Sequence, residues 1–308
     1  FAVLADEMAA KETRTQRRKE LHDIADICRR VPEYPARNFK EAIQCIWFMF
    51  LALTPSATAP LGRFDQYMYP YYKADKEAGI TTDDEVLEYL ECFRIRCMEL
   101  NMQAGKEIRK RASGGPRWYN MTIGGVKPDG TDATNELSHL VLDALMDCPT
   151  THHTITLRVA ESTPDSIMIK ALKAQSMGLS MPAFVGDKSY INFFISPSSG
   201  DNGLPIEDAR DYCMTGCIDG NIPGRTRSMG IGMFVTPLML DIFLNNGIDK
   251  NTGLKVGNET GDLARFKDYE GFQAAFKQGM KYFMLLAAEK TNIENLVFRD
   301  FFPEPVRT

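Results

Sequence analysis

With 308 residues, 44% of them hydrophobic and 25% charged, the chain has the apolar mass for a sizeable core and the composition of a soluble globular protein. A formal net charge of -5, with lysines and arginines scattered along the chain, argues against nucleic acid or an anionic membrane as partner and for a small molecule. The longest apolar stretch, Cys45 to Leu53, falls far short of the roughly 20 residues a bilayer-crossing helix needs, and the opening residues lack a signal pattern, so a cytoplasmic protein is expected.

Residues 2 to 29 read as one helix, charged at first and then amphipathic, which Pro32 and Pro35 stop. A more apolar helix runs from Asn38 to Leu53 and ends at Pro55, and Gly62 to Tyr72 is aromatic and turn-like. Thr82 and Glu85 form a capping-box pattern ahead of a helix reaching about Leu100, with Val86, Leu87, Leu90 and Phe93 on its inner face. Trp118 to Val126 has strand character and ends in the turn Lys127-Pro128-Asp129-Gly130. Asp132 then caps a helix to about Asp147, and His153 to Val159 alternates as a strand. Thr163 as N-cap, Pro164 at the first helical position and Gly178 past the end enclose a further helix. Pro182 to Gly186 is a short apolar run, Ile206 to Tyr212 a short helix, and Pro237 to Asn246 a helix stopped by Gly247. Strands separated by long helices predict a helix-rich α/β barrel rather than a bundle or sandwich. With no internal repeat or low-complexity linker, residues 1–308 read as a single domain.

Seven cysteines, an odd number with several in apolar helical runs, predict small buried hydrophobes rather than a disulfide framework. No CxxC pair occurs and His152 and His153 are adjacent, so no zinc site is expected; both, like His139, read as packing residues. The stretch that stands apart is DYCMTGCIDGNIPGRTRS, Asp211 to Ser228, too glycine-rich for a helix or an ordinary strand. Gly216 and Gly220 flank Cys217 and Asp219, and residues two apart in an extended segment point the same way, which sets thiol beside carboxylate. A neighbouring negative charge raises a thiol pKa, which argues against ordinary nucleophilic cysteine catalysis. It leaves hydrogen-atom chemistry open, since a neutral S–H that gives up its hydrogen needs no deprotonation and the carboxylate is free to act as base or acceptor. The residues alone also fit, and more simply, a buried cysteine in a tight turn with Asp219 capping a loop.

A collinear series of blocks resembles the glycyl radical enzymes, the group of pyruvate formate-lyase and the radical dehydratases and decarboxylases. The blocks are CRRVPEYPARNFKEAIQCIWF (28 to 48), LGRFDQYMYPYYKAD (61 to 75), MTIGGVKPDGTDATNELSHLVLDA (121 to 144), TLRVAESTPDS (156 to 166), GLSMPAFVGD (178 to 187) and IEDARDYCMTGCIDGNIPG (206 to 224). The resemblance implies a helix-rich ten-stranded α/β barrel, incomplete at both ends, in which the radical-bearing cysteine is Cys217 and its companion acid, usually a glutamate, is Asp219. It further implies a glycyl radical on a residue outside this chain, because no Arg-Val-x-Gly-Tyr loop occurs and Arg158-Val159 leads into Ala160-Glu161. The C-terminal glycyl radical domain is therefore expected to be absent and the chain alone inactive. No bound cofactor is implied, but a partner is: an activating enzyme using S-adenosylmethionine and an iron-sulfur cluster, acting on a full-length homodimer without oxygen.

Arg225 to Gly232 carries no carboxylate of the kind that helps diol-dehydrating members expel hydroxyl. Pyruvate formate-lyase itself has adjacent active cysteines, whereas Met214, Thr215 and Gly216 separate Cys213 from Cys217 and leave Cys213 a structural role. Trp118, Tyr119, Phe184 and Phe234 lie near segments that line the family's pocket, so C–C cleavage of an arylacetate, a decarboxylation, is the leading expectation. Arg158 and Arg225 are candidates for a substrate carboxylate, with structural acids such as Asp208 or Asp211 as the alternative partners. Arg63, Asp65 and Tyr67 resemble a buried polar network of the family. The alternatives are a radical eliminase removing water, an amine or sulfite from a small polar substrate, and an inactive homologue or split subunit. The composition around Cys217 discriminates between decarboxylase and eliminase: an apolar wall suits an arylacetate, carboxylates or amides a polyol or amine.

Overall fold

The N-terminal helix that the sequence predicts in one piece is two, α1 (Ala2–Lys11) and α2 (Thr15–Arg30). Glu12 explains the break: its carboxylate accepts from the Arg14 backbone N–H at 2.9 Å and from the Arg14 guanidinium, closing a local turn between them. The computed structural model describes residues 1–53, 60–100, 119–151, 153–197, 203–216, 218–225 and 235–301, which divide into two compact units, 1–228 and 229–308.

In the first unit α3 (Phe39–Ala52) starts at Asn38, whose side chain accepts from the Glu41 N–H, while the Phe39 N–H donates to Asp75 at 2.7 Å. Two of the open N–H groups of the first turn are thereby satisfied. Gly62 to Tyr72 is not a turn region. It holds the short strand β1 (Gly62–Arg63), α4 (Phe64–Tyr67) and the start of α5 (Tyr69–Glu77), because Pro70 sits in the first helical turn, where its missing N–H costs nothing. Helix α6 (Asp83–Glu99) opens on the Thr82–Glu85 capping box. After β2 (Asn120–Gly124), α7 (Glu136–Asp147) is capped by Asn135 and Ser138 rather than by Asp132, which accepts instead from the Thr134 hydroxyl. Strand β3 (Thr154–Val159) leads to α8 (Asp165–Ser176), where Pro164 takes the cap position and Thr163 secures the preceding turn by accepting from the Ala160 N–H. Then follow β4 (Ala183–Gly186), α9 (Asp187–Ile195) and α10 (Ile206–Arg210).

The strands β1 to β4 form one parallel sheet in sequence order, with Met121 beside Ile155, Thr122 beside Thr156, Leu157 beside Phe184 and Arg158 beside Val185. Strand–helix units added in order are the winding of an α/β barrel. The sheet has two different faces. Met121, Ile123, Ile155 and Leu157 point into the main core with Phe39, Phe50, Phe64, Leu90, Phe93 and Leu137. Asn120, Thr122, Thr156 and Arg158 alternate with them and so occupy the other face, fully buried. A second cluster of Val185, Phe194, Ala209, Tyr212, Met214 and Ile222 lies on that side.

The glycine-rich stretch does form strands, β5 (Cys213–Thr215) and β6 (Asp219–Asn221), paired antiparallel with Thr215 opposite Asp219. Its two glycines act differently. Gly216 takes φ +60°, a left-handed conformation that glycine adopts without strain, and Gly220 leaves room for the Tyr190 ring.

The second unit holds α11 (Thr236–Leu244) and the long α12 (Tyr269–Phe301), which lies beyond the last element the sequence reading assigns. Phe243 of α11 packs edge-on against Phe272 and Phe276 of α12. Further along α12, Met284, Leu285, Leu286, Ile293, Leu296 and Val297 are exposed. Among the described residues no helix is long and apolar enough to cross a membrane.

Candidate functional site

The β5–β6 hairpin meets the sheet at the C-terminal ends of the parallel strands, where α/β folds place their ligands. Two buried arginines hold the approach to it. Arg63, at the end of β1, donates to the carbonyls of Gly124 (3.2 Å) and Val126 (2.9 Å) at the end of β2, and to the Arg210 carbonyl (3.4 Å) and Asp211 carboxylate (3.0 Å) just before β5. Arg158, fully buried on β3, grips Asp187 with Nε and one terminal nitrogen (2.8 and 2.9 Å) and gives its other terminal nitrogen to the Tyr212 carbonyl (2.8 Å). Its guanidinium lies 3.8 Å from the centre of the Tyr212 ring, and the Tyr212 hydroxyl returns to Asp187 at 2.7 Å. The Val126 N–H adds a further bond to Asp187 at 3.0 Å. Gly125 makes this possible: with φ +77° and no Cβ, it leaves the space that Nε of Arg158 occupies, where a Cβ would come within 2.5 Å.

The hairpin is also bonded to the sheet directly, through the Met214 N–H to the Thr122 hydroxyl at 2.9 Å. On its outer side the Tyr190 hydroxyl donates to the Ile218 carbonyl at 3.1 Å. Burial, reinforced by the charge of Asp211, pushes the Cys213 thiol up to about 12, so it stays protonated at neutral pH. Burial likewise raises the Tyr212 phenol and works against the Arg63 charge. Asp65 is fully buried and accepts from the Ser138 hydroxyl (2.5 Å) and the Gly124 N–H (2.8 Å); burial pushes its carboxyl up while these bonds oppose the shift. Tyr67, by contrast, is exposed, with its hydroxyl on the Leu61 carbonyl.

Of the site residues read from sequence, Cys217, Trp118 and Phe234 lie outside the described residues. Asp219 is exposed on β6, and among the described residues no hydrogen bond or ion pair reaches its carboxylate. Tyr119 is buried and stacks on Phe50 at 4.3 Å, and Phe184 pairs in register with Leu157; both belong to the main core, on the face away from the hairpin. Arg158 is engaged as described, and the exposed Arg225 faces Asp208 at 3.4 Å. Sequence reasoning missed the hydroxyls of Thr156 and Thr215, both buried and, among the described residues, without a hydrogen-bond partner. The alternation in HTITLRV carries the signal for Thr156, which shares the Arg158 face. Among the described residues no cluster of His, Cys, Asp or Glu suits a metal ion.

The pyruvate formate lyase-like family profile matches residues 1–308. The chain belongs to this family, that of the glycyl radical enzymes. This glycyl radical enzyme chain is 32% identical to the isethionate sulfite-lyase of Oleidesulfovibrio alaskensis, over 99% of its own length and 37% of the relative's. It is 27% identical to the 4-hydroxyphenylacetate decarboxylase glycyl radical subunit of Clostridioides difficile strain CD196, over 98% of its length and 35% of that chain. Among solved structures, one concerned with 1,2-propanediol dehydration in Roseburia inulinivorans superimposes with a TM-score of 0.87 at 30% identity, covering 96% of this chain and 35% of the other. The chain thus spans little more than a third of the length of the relatives it matches.

Proposed function

We propose that this chain is the thiyl-bearing part of a glycyl radical lyase, and that the assembled enzyme eliminates water, an amine or sulfite from a small polar substrate. One observation carries the choice of substrate class. The sheet face toward the hairpin bears Asn120, Thr122 and Thr156, with Thr215 and Asp219 paired across the hairpin, whereas Tyr119 and Phe184 pack beneath the helices. A polar sheet face beside the hairpin favours a polyol, amine or sulfonate over an aryl group. The sulfite-lyase and the diol-dehydrating neighbour support the same reading. Arylacetate decarboxylation stands as the second reading, supported by the decarboxylase relative.

In this reading an S-adenosylmethionine-dependent iron-sulfur activating enzyme installs the glycyl radical, outside this chain, which supplies the unpaired electron. Cys217 gives its hydrogen atom to that radical and, as thiyl, takes one from a substrate C–H. Asp219 accepts the proton of the substrate hydroxyl as the leaving group departs from the adjacent carbon, returning it to a departing hydroxide so that water leaves, or releasing it to solvent where sulfite or a neutral amine departs. Cys217 then returns its hydrogen atom to the product radical. The buried arginine framework fixes the hairpin while this occurs, and the chemistry runs in an anaerobic cytoplasm.

The test is to assemble the chain with its glycyl loop, whether on one polypeptide or two, activate it without oxygen, and record the electron paramagnetic resonance spectrum. A glycyl doublet with turnover of isethionate or 1,2-propanediol is expected, and Cys217→Ala should abolish turnover while the circular dichroism stays unchanged. Activity in Cys217→Ala would remove the radical reading. Decarboxylation of 4-hydroxyphenylacetate alone would transfer the assignment to the second reading, and no doublet would mark an inactive homologue.

A further inference from the structure

Between the α1–α2 pair and the helices α3 and α6 lies a cavity of about 620 Å³, on the side of the sheet away from the β5–β6 hairpin. Leu4 and Met8 of α1, Leu21 and Ile24 of α2, Trp47 of α3 and Phe93 of α6 form its apolar walls. At its border the rings of Phe1 and Phe48, stacked with centroids 5.7 Å apart, link α1 to α3. Packed interiors leave few voids larger than one water molecule, and apolar walls hold water poorly, so a space of this size and lining suits an apolar body. Its volume lies in the range of small-molecule pockets.

The unpaired polar groups of the cavity sit together. Lys40, Gln44 and Trp47 stand at i, i+4 and i+7 on α3 and so share one face of that helix. All three line the cavity and are half-buried. Among the described residues no hydrogen bond or ion pair reaches the Gln44 side chain or the Lys40 ammonium, which lies 5.9 Å from the centre of the Tyr89 ring. The other cations of the lining are paired, Arg17 with Glu20 at 2.8 Å and Arg96 with Glu99 at 2.9 Å. Glu20 and Glu85 feel the Lys40 charge, but Glu20 is bonded to Arg17 and Gln16, and Glu85 to the Thr82 cap. One cation and one amide are thus left open at the start of the α3 face, with the apolar walls beyond them. We propose that this cavity is a second, non-catalytic site for an amphiphilic carboxylate, with the aliphatic chain inside the cavity and the head group on Lys40 and Gln44. The ammonium and the amide N–H donate to the carboxylate oxygens. A neutral apolar molecule would leave the ammonium unused, and a dianion would meet a single open cation.

The experiment uses the full-length enzyme before activation, so its result does not depend on the radical chemistry. Octanoate and octanol, which share a chain and differ in the head, are titrated by calorimetry into parent and variants. The parent should bind octanoate more tightly than octanol, and Lys40→Met should weaken octanoate about ten-fold while leaving octanol unchanged. Cys28→Phe, which puts a ring into the cavity from α2, should weaken both ligands at an unchanged or raised melting temperature. Where that variant fails to fold, 8-bromooctanoate locates the site instead, by quenching an emission that is missing from Trp47→Phe. No binding of octanoate by the parent overturns the proposal, and is the result expected if another segment of the full-length polypeptide fills the cavity. Binding that neither variant alters overturns it as well, since the ligand then sits elsewhere. Equal losses of octanoate and octanol in Lys40→Met would overturn the head-group assignment and leave an apolar cavity that selects no anion.

Discussion

Thr156 lies in the middle of β3 with no exposed surface and, among the described residues, no partner for its hydroxyl, although its neighbour across the sheet, Thr122, accepts a bond from Met214. A buried hydroxyl without a partner carries a desolvation penalty of about 1 to 3 kcal/mol, and replacing it with a methyl of similar shape removes that penalty. Thr156→Val should therefore raise the urea midpoint, by about 1 kcal/mol of stability at unchanged m-value; a loss of stability would show that the hydroxyl has a partner in solution. The sequence carries the face of Thr156 through strict alternation, yet it says nothing of who meets Arg158. Asp208 and Asp211 stand ready as acids nearby in the chain, but Asp208 faces Arg225 and Asp211 faces Arg63, while Arg158 takes Asp187, 29 residues away. Nothing local marks that pairing, because it is made by the sheet bringing the ends of β3 and β4 together.

At the level of elements, the local signals read unevenly: the caps expected of Asp132 and Thr163 fall instead to Asn135 and Pro164, whereas the Thr82–Glu85 box forms as expected. The Thr82–Glu85 box spans one helical turn and needs no tertiary information. The hairpin reads poorly because its strands are three residues each, too short for alternation to show, and because its glycines look like loop residues until Gly216 and Gly220 are seen doing different things. What holds the hairpin's approach is the Arg158–Asp187–Tyr212 cluster, both charges buried at 0% and 2% exposure. Removing one partner leaves the other charge uncompensated in a water-poor site, which typically costs about 3 to 5 kcal/mol. Arg158→Met should lower stability by that order in denaturant titration, whereas a double Arg158→Met, Asp187→Leu variant should recover part of the loss. Equal stability in parent and Arg158→Met would mean that the ion pair is already open to solvent.

Across the whole molecule, the family and the α/β barrel class are legible from sequence blocks, while α12 lies in none of them and was not read. Its N-terminal half packs on Phe243, and its further turns expose Met284, Leu285, Leu286, Ile293, Leu296 and Val297. Local opening should follow that contrast. Hydrogen exchange is expected to be slowest in β2 and β3, buried on both faces, and at least about a hundred-fold faster in the last turns of α12; comparable protection would show that a partner covers that helix in solution. The order of the sheet has a bearing on biosynthesis as well. Because β1, β2, β3 and β4 join side by side in the order of the chain, a ribosome delivers each strand to an edge already made, and assembly can be vectorial. Arg158, however, emerges 29 residues before Asp187 and 54 before Tyr212, an interval of seconds at about 5 to 20 residues per second. During that interval its cation has no built counter-charge, so the nascent sheet keeps one face wet until translation delivers the groups that seal it.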